Sequence, residues 1–573
     1  MINRAVLSGF LIIIFFSSCG NLKDKKVEIK AQVYEGNHIV CDSGIVVSAH
    51  SESSRIGAAV LRKGGNAIDA AVAVEFALAV CYPEAGNIGG GGFMLIRESD
   101  GRTDLIDYRE KAPLKSYRDM YLDSAGNVNE GMSTDTHLAS GVPGTVDGMV
   151  NIHSKYGVLS FKSVIQPAID LADNGFPLTQ EQASDLNNNR ENFIYRNKSR
   201  TAFVKDLPWK AGDTLKQPEL ARTLERIRDY GRNGFYSGIT ARHIVEEMKR
   251  GNGQITYRDL ARYSSVFRDP VSGNYRGYKI FSASPPSGGG IILLQILGMI
   301  EPYNLGEAGF HSWQAVHLIT EAERRAFADR SQYLGDPGFT DIPVEGLLSR
   351  EYLLQRMSSF SRDSASSSSK ILPGSPQGFV SEETTHYSIT DFMGNAVAAT
   401  TTLNGGFGSS IVVDSAGFLL NNQMDDFSIK PGVPNMYGLV GGDANSVEPG
   451  KRMLSSMTPV IVEKDGKLFL VAGSPGGSTI PTTVLQIIIN VIDYGMNIRE
   501  AVDTGRFHHQ WLPDYIDYEE NSIDSITIVK LKNMGHELRS RGPIGRTNAI
   551  MILPDGSKAG GADSRGNNVA CGY

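Results

Sequence analysis

From Gly44 onward, short runs dominated by apolar residues alternate with longer stretches in which apolar positions recur every three to four residues. "GIVVSAH" reads as a strand, and "SSRIGAAVLRKGG" as a helix capped at Ser53 or Ser54 and broken at Gly64 and Gly65. "NAIDAAVAVEFALAVCYPEAG" follows as an Ala-rich helix capped by Asn66, suited to close packing on a sheet. In the middle third, roughly Phe161 to Phe360, "ELARTLERIRDYGRNGFY" and "WQAVHLITEAERRAFADRSQYLGDP" show 3.6-residue spacing and predict a helical layer. Ser358 to Gly378 is polar and serine-rich, which predicts a mobile loop because such sequence buries little apolar surface. Beyond it, "TTHYSITDFMGNAVAATTTLN" reads as strand, turn at Met393-Gly394-Asn395, strand. Further strands are predicted at "GFLLNN", "PVIVEKDGKLFLVAG" and "TNAIMILPDG", with a helix at "TTVLQIIINVIDYG". Hairpins and helices without regular βαβ alternation predict an α+β fold with antiparallel sheets.

A chain of 573 residues with 41% hydrophobic composition can bury a sizeable core. Its net charge of -7 comes from interspersed acids and bases, with no basic footprint for nucleic acid or an anionic membrane surface. The first residues, "MINRAVLSGFLIIIFFSSCGN", have a basic Arg4, an apolar run from Phe10 to Phe16, then Ser17, Ser18 and Cys19. This predicts an export signal over residues 1–18. The cysteine after small residues resembles a bacterial lipobox, which implies a lipidated Cys19 and anchorage at a membrane through that lipid alone; Phe16 departs from the usual Leu. An ordinary signal peptide with an incidental Cys19 is the alternative. Cys41, Cys81 and Cys571 lack metal-ligand spacing and form no disulfide framework, so they read as structural.

Three motifs invite chemistry. The glycine run "NIGGGGFMLI" lacks the Lys-Ser/Thr of a phosphate-binding loop and reads as a tight turn into a strand. "HHQW" (His508 to Trp511) suggests a metal, but adjacent histidines project in different directions and no Cys or carboxylate stands at ligand spacing, so packing is expected. "SEETTHYSIT" is the third. A threonine whose own α-amine is its base is an effective nucleophile, and that amine titrates near pH 7.7 to 8.0. An internal threonine acquires the amine only by cleavage on its N-terminal side.

The surroundings of this threonine pair resemble the small subunit of the γ-glutamyltranspeptidases, N-terminal nucleophile hydrolases made as self-cleaving proenzymes. The matching segments are "TTHYS", "TLNGGFGS", "LLNNQMDDFS", "KPGVPNMYGLVGGDAN", "KRMLSSMTP", "GSPGGS" and "RFHHQWLPD"; upstream are "GGNAIDAAVA", "DYREKAP", "SGVPGTVDGM", "PPSGGG" and "ADRSQYLGDP". The resemblance implies a four-layer αββα sandwich, with a large subunit of residues 19–383 and a small catalytic subunit of residues 384–573 forming one intertwined heterodimer. It makes Glu383-Thr384 the cleavage site, Thr384 the nucleophile and Thr402 its hydrogen-bonding assistant. Arg109, with Ser455 and Ser456, would bind the donor's α-carboxylate, a role suited to a bidentate guanidinium. Asn404, Gln423 and Asp426 would take its α-ammonium. Gly476 and Gly477 would supply the oxyanion's N–H donors, where the absence of side chains allows close approach. Lys430 to Gly442, with Pro431, Pro434 and Tyr437, would form a lid.

The implied activity is that of a γ-glutamyltransferase and glutathione hydrolase. It would act on glutathione and other γ-glutamyl compounds, use water, amino acids or dipeptides as acceptors, need no metal or organic cofactor, and reside in the periplasm or on the outer membrane. Gly405, Gly406 and Met453 depart from the family pattern at the pocket rim and bear on acceptor preference. Rival readings are a related acylase, a poly-γ-glutamate-processing enzyme, or an unprocessed lipoprotein that only binds γ-glutamyl compounds.

Overall fold

The computed structural model describes residues 32–374 and 385–573. Most of the strands belong to two large sheets. The first has eight strands in the order Tyr34–Gly36, Val569–Gly572, Ile45–Ser48, Thr385–Thr390, Ala396–Thr402, Gly91–Arg97, Thr103–Asp107 and Val266–Arg268. The second has seven, in the order His38–Cys41, Lys558–Ala562, Asn548–Ile552, Lys467–Gly473, Val460–Lys464, Tyr278–Ser282 and Val271–Tyr275. Every pairing within both sheets is antiparallel.

Side-chain alternation sorts the residues into layers. In Ile45–Ser48, Ile45 and Val47 join the core between the sheets, while Val46 points to the helices outside. In Gly91–Arg97, Phe93 and Leu95 face inward and Met94 and Ile96 outward. These two central strands are therefore buried on both faces and read as continuous apolar runs, unlike half-solvated antiparallel strands. Helices including Ala67–Cys81, Phe161–Asn174 and Pro218–Tyr230 share the first sheet's outer core, and Gly289–Ile300, Trp313–Tyr333 and Ile480–Ile492 that of the second. The result is the α+β arrangement of helices, two stacked sheets and helices. The hairpin that opens at Thr385 sits in the middle of the first sheet, between strands from the first hundred residues.

Three local expectations need correction. The first helix, Ser51–Arg62, is capped by the His50 side chain rather than by Ser53 or Ser54, which are buried and bonded to Ser48. Asn66 does cap the second helix, in a reciprocal capping box with Asp69. "GFLLNN" is no strand; Leu419 makes one isolated bridge to Val412, and the side chains of Asn421 and Asn422 donate to the backbone carbonyls of Gly89, Gly141 and Thr134 instead.

The serine-rich stretch, expected as a mobile loop, is held by polar contacts as far as it is described. Ala365 N–H donates to Met534 O at 2.8 Å, Ser366 N–H to Glu321 at 2.9 Å and Ser368 N–H to Asp514 at 2.7 Å. The Trp511 indole donates to the carbonyls of Ser368 and Ile371, and Gly374 N–H to Asp329 at 2.8 Å. Backbone groups aimed at the buried Glu321 and Asp329 and the half-buried Asp514 replace the apolar burial that the composition lacks. Residues 375–378 of the predicted loop lie outside the described residues, as do the export signal, Cys19, Glu383 and Thr384. Cys41, Cys81 and Cys571 are buried free thiols. Among the described residues no helix is long and apolar enough to cross a membrane.

Candidate active site

Thr385, which follows Thr384 in the chain, lines a cavity of about 390 Å³ together with Thr402, Asn404, Tyr437 and Gly476. The sheet explains the meeting of the first two. Thr385 pairs with Thr401 across the hairpin, and Thr402 is the last residue of the adjoining strand. The glycine run fixes that strand from its other side, as a turn entering the strand Gly91–Arg97. A Cβ on Gly90 would stand 1.9 Å from Thr402 O, so only glycine admits this approach. Asn87 completes the support by donating to Thr401 Oγ1 and Thr402 O and accepting from Gly90 N–H. Thr402 Oγ1 accepts from Asn404 N–H at 2.8 Å.

Gly476 has φ of 133° and Gly477 of 69°, backbone states that favour glycine, at the entry to the short turn Gly477–Thr479 and the helix Ile480–Ile492. A Cβ at Gly476 would meet Thr479 Oγ1 at 2.5 Å. Gly476 lines the cavity and Gly477 is buried. Tyr437, within the irregular segment Lys430 to Gly442, lines it from another side; Met436 N–H donates to Asp425 and so ties the segment to the polar cluster below.

That cluster holds the other expected residues, none of which lines the cavity. Arg109 is fully buried; it donates to Asp426 Oδ2 at 2.8 Å and to the carbonyls of Met453 and Leu454 at 3.3 and 3.2 Å. Gln423 Nε2 donates to the same oxygen of Asp426. Asn404 reaches the cluster by donating to Asn422 O, next to Gln423. Burial raises the Asp426 carboxyl to about 6 against the opposing pull of Arg109, and raises Glu110, which also contacts Arg109, to about 7. Ser455 and Ser456 are buried, the Ser455 hydroxyl accepting from Met457 N–H at 3.2 Å. Met453, one of the three positions expected to depart from the pattern, thus contributes its carbonyl to holding Arg109.

Asn404 Oδ1, Gln423 Oε1 and Asp426 Oδ1 are all buried acceptors without a hydrogen-bond partner among the described residues. Leaving buried acceptors unmatched is costly, and these three stand on residues tied together through Asn422 and the Gln423–Asp426 bond, so they call for donors. A ligand ammonium has three N–H donors to give.

Sequence reasoning missed the positioning residues. Asn445 donates to Asp426 O at 2.6 Å and accepts from Leu454 N–H, joining the two arms around Arg109. Asn422 Oδ1 accepts from Gly405 N–H at 2.9 Å. Only the density of Asn and Asp in "NNQMDDFS" hinted at such roles. His508 and His509 are buried in separate environments, on Thr482 and Gln510 and on Asp514 respectively, and burial lowers both to about 4. His317, Glu321 and His536 approach metal-ligand geometry, but Glu321 already carries ion pairs from Arg324 and Arg325, and His317 Nδ1 bonds His536 Nε2 at 2.7 Å.

The family model for gamma-glutamyltranspeptidase matches residues 53–573. A glutathione hydrolase proenzyme of Escherichia coli (strain K12) is 48% identical over 534 residues, covering 92% of each chain. An acylase ACY 1 proenzyme of Pseudomonas sp. (strain SE83) is 35% identical over 528 residues, covering 91% of each. Among solved structures, a Helicobacter pylori gamma-glutamyltranspeptidase is 45% identical with a TM-score of 0.57, covering 59% of this chain and 97% of its own. A cephalosporin acylase from Bacillus halodurans, 24% identical, superposes with a TM-score of 0.81 over 94% of this chain and 97% of its own, which speaks to the fold.

Proposed function

The chain belongs to the γ-glutamyltranspeptidase family of N-terminal nucleophile hydrolases, and from that premise we propose that it is a self-processing γ-glutamyltransferase and glutathione hydrolase. The precursor cleaves between Glu383 and Thr384, giving a large subunit that ends at residue 383 and a small one that begins at Thr384. The freed α-amine takes the Thr384 hydroxyl proton as the oxygen attacks the γ-amide carbonyl of glutathione or a related γ-glutamyl compound. N–H groups of Gly476 and Gly477 stabilise the oxyanion, whose charge is greatest in the transition state. The α-amine then protonates departing cysteinylglycine, leaving a γ-glutamyl ester on Thr384. Water or the amine of an amino acid or dipeptide resolves it.

The observation that carries this reading is the set of three unmatched acceptors on Asn404, Gln423 and Asp426, suited to the α-ammonium of a γ-glutamyl donor. Arg109 supplies the cation for its α-carboxylate, and Thr402 positions the nucleophile. A glutaryl acylase substrate lacks the ammonium and would leave those acceptors unmatched, which sets the acylase reading second. Export with a lipid on Cys19 places the enzyme in the periplasm or at the outer membrane.

Thr384→Ala tests the assignment. The variant is expected to persist as one uncleaved chain with no γ-glutamyl-anilide turnover, while sequencing of the wild-type small fragment reads Thr384 first. Normal two-chain processing of the variant would sink the proposal.

A further inference from the structure

A second cavity, of about 360 Å³, shares Tyr437 and Gly476 with the first. Its remaining wall includes Gln510, Tyr515, Asp517, Arg539 and Arg541. The parallel pairing of Ile516–Glu519 with Leu538–Arg541 sets Asp517 opposite Arg539, and both arginines of the alternating "LRSR" reach the same carboxylate. Arg539 grips Asp517 through two bonds, at 2.7 and 2.9 Å, and stacks its guanidinium 4.1 Å from the Tyr515 ring centre. Arg541 has one bond to Asp517, at 3.2 Å, and its side chain is 39% exposed. Two guanidinium groups against one carboxylate leave the wall with an excess positive charge, and Arg541 has donors to spare. Gln510 donates to Tyr437 O at 3.4 Å, linking this wall to the segment between the cavities.

We propose that this second cavity binds the C-terminal carboxylate of the dipeptide that leaves or enters during γ-glutamyl transfer, with Arg541 as its principal ligand and Arg539 fixed as the supporting charge. The assignment rests on the proposed transferase activity and extends it to the half of the substrate that is exchanged. One cavity contains the residue beside the nucleophile; the other begins at the predicted oxyanion glycine and ends at a cationic wall. A dipeptide seated there presents its α-amine toward Gly476 and its carboxylate toward Arg541. In transfer the amine attacks the ester carbonyl, the new C–N bond forms as the C–O bond to Thr384 breaks, and the proton lost by the amine returns to the threonine oxygen. No other reactant is required.

The test uses the full mature enzyme with γ-glutamyl-p-nitroanilide as donor, and compares glycylglycine with glycylglycine amide as acceptor. In Arg541→Met the acceptor KM for glycylglycine should rise about tenfold, the scale of one charge-assisted contact, with less than about a twofold change for the amide. Arg541→Lys should recover part of the loss because it keeps the charge but not the fork. An equal change for acid and amide, or none for either, would overturn the site. Absence of anilide turnover in the unmodified enzyme would instead overturn the proposed function, before any acceptor is added.

Discussion

Arg109 with Asp426 and Arg541 with Asp517 are both arginine–carboxylate pairs near the candidate active site, but they occupy opposite physical regimes. The first is wholly buried, 2.8 Å long and built into the backbone through Met453 and Leu454. The second joins a buried carboxylate to arginines that are 54% and 39% exposed. Within the core, both charges have lost water, so taking away one partner leaves a buried charge less well compensated. At the surface, solvent screens the pair and the arginines can turn to another anion. This suits a rigid, exacting site for the γ-glutamyl group beside an open one for the exchanged group.

The largest effect should come from asking each carboxylate to be missed. Asp426→Ala takes from the buried Arg109 guanidinium its 2.8 Å carboxylate partner and should cost about 3 kcal/mol of stability. Asp517→Ala should cost about 1 kcal/mol or less, since it releases exposed arginines. Urea-unfolding midpoints of the two variants measure the contrast, and equal losses would break it.

A smaller effect separates the pairs by pH. The Asp426 carboxyl lies near 6 in the fold against an ordinary value of 3.8, because burial disfavours its charge more than Arg109 favours it. Its folded value is raised, so the folded chain binds this proton more tightly than the unfolded one. The group's contribution to stability is therefore fully present below the ordinary value and lost as pH rises through about 6. Ionisation has the opposite consequence for binding an ammonium. Donor KM should fall as pH rises from about 5 to about 7, and this step should vanish in Asp426→Asn. A KM profile identical in the variant would remove Asp426 from the donor site.

Salt gives the smallest and most selective effect. Raising ionic strength from about 0.15 M to about 1 M shortens the screening length from about 8 to about 3 Å. KM for glycylglycine should then rise about two- to threefold while donor KM stays nearly constant, because screening reaches the exposed arginines and not the buried pair. A donor KM that moved as much as the acceptor KM would erase the distinction.

The same division runs through what could be read before the fold was known. Apolar runs identified the strands and the Ala67–Cys81 helix, because burying such residues is favourable whatever they pack against. Asn66 capped that helix, since capping depends on a few neighbouring residues. Reading failed where polar groups are satisfied by distant ones. "GFLLNN" has strand composition, but Asn421 donates to Gly89 and Gly141 carbonyls. The serine-rich stretch has the composition of a mobile loop, but it meets the carboxylates of Glu321, Asp329 and Asp514.

The sequence by itself determined the α+β class, the family and the residue types from which the donor site is drawn, since these follow from local periodicity and from motifs kept in order along the chain. Only the tertiary structure decided that Arg109 is engaged by Asp426, that three acceptors nearby have no partner among the described residues, and that Arg539 and Arg541 form part of the wall of a second cavity. A hydrogen bond or charge pair depends on a few tenths of an ångström between residues hundreds of positions apart. The sequence carries such distances only through the completed fold.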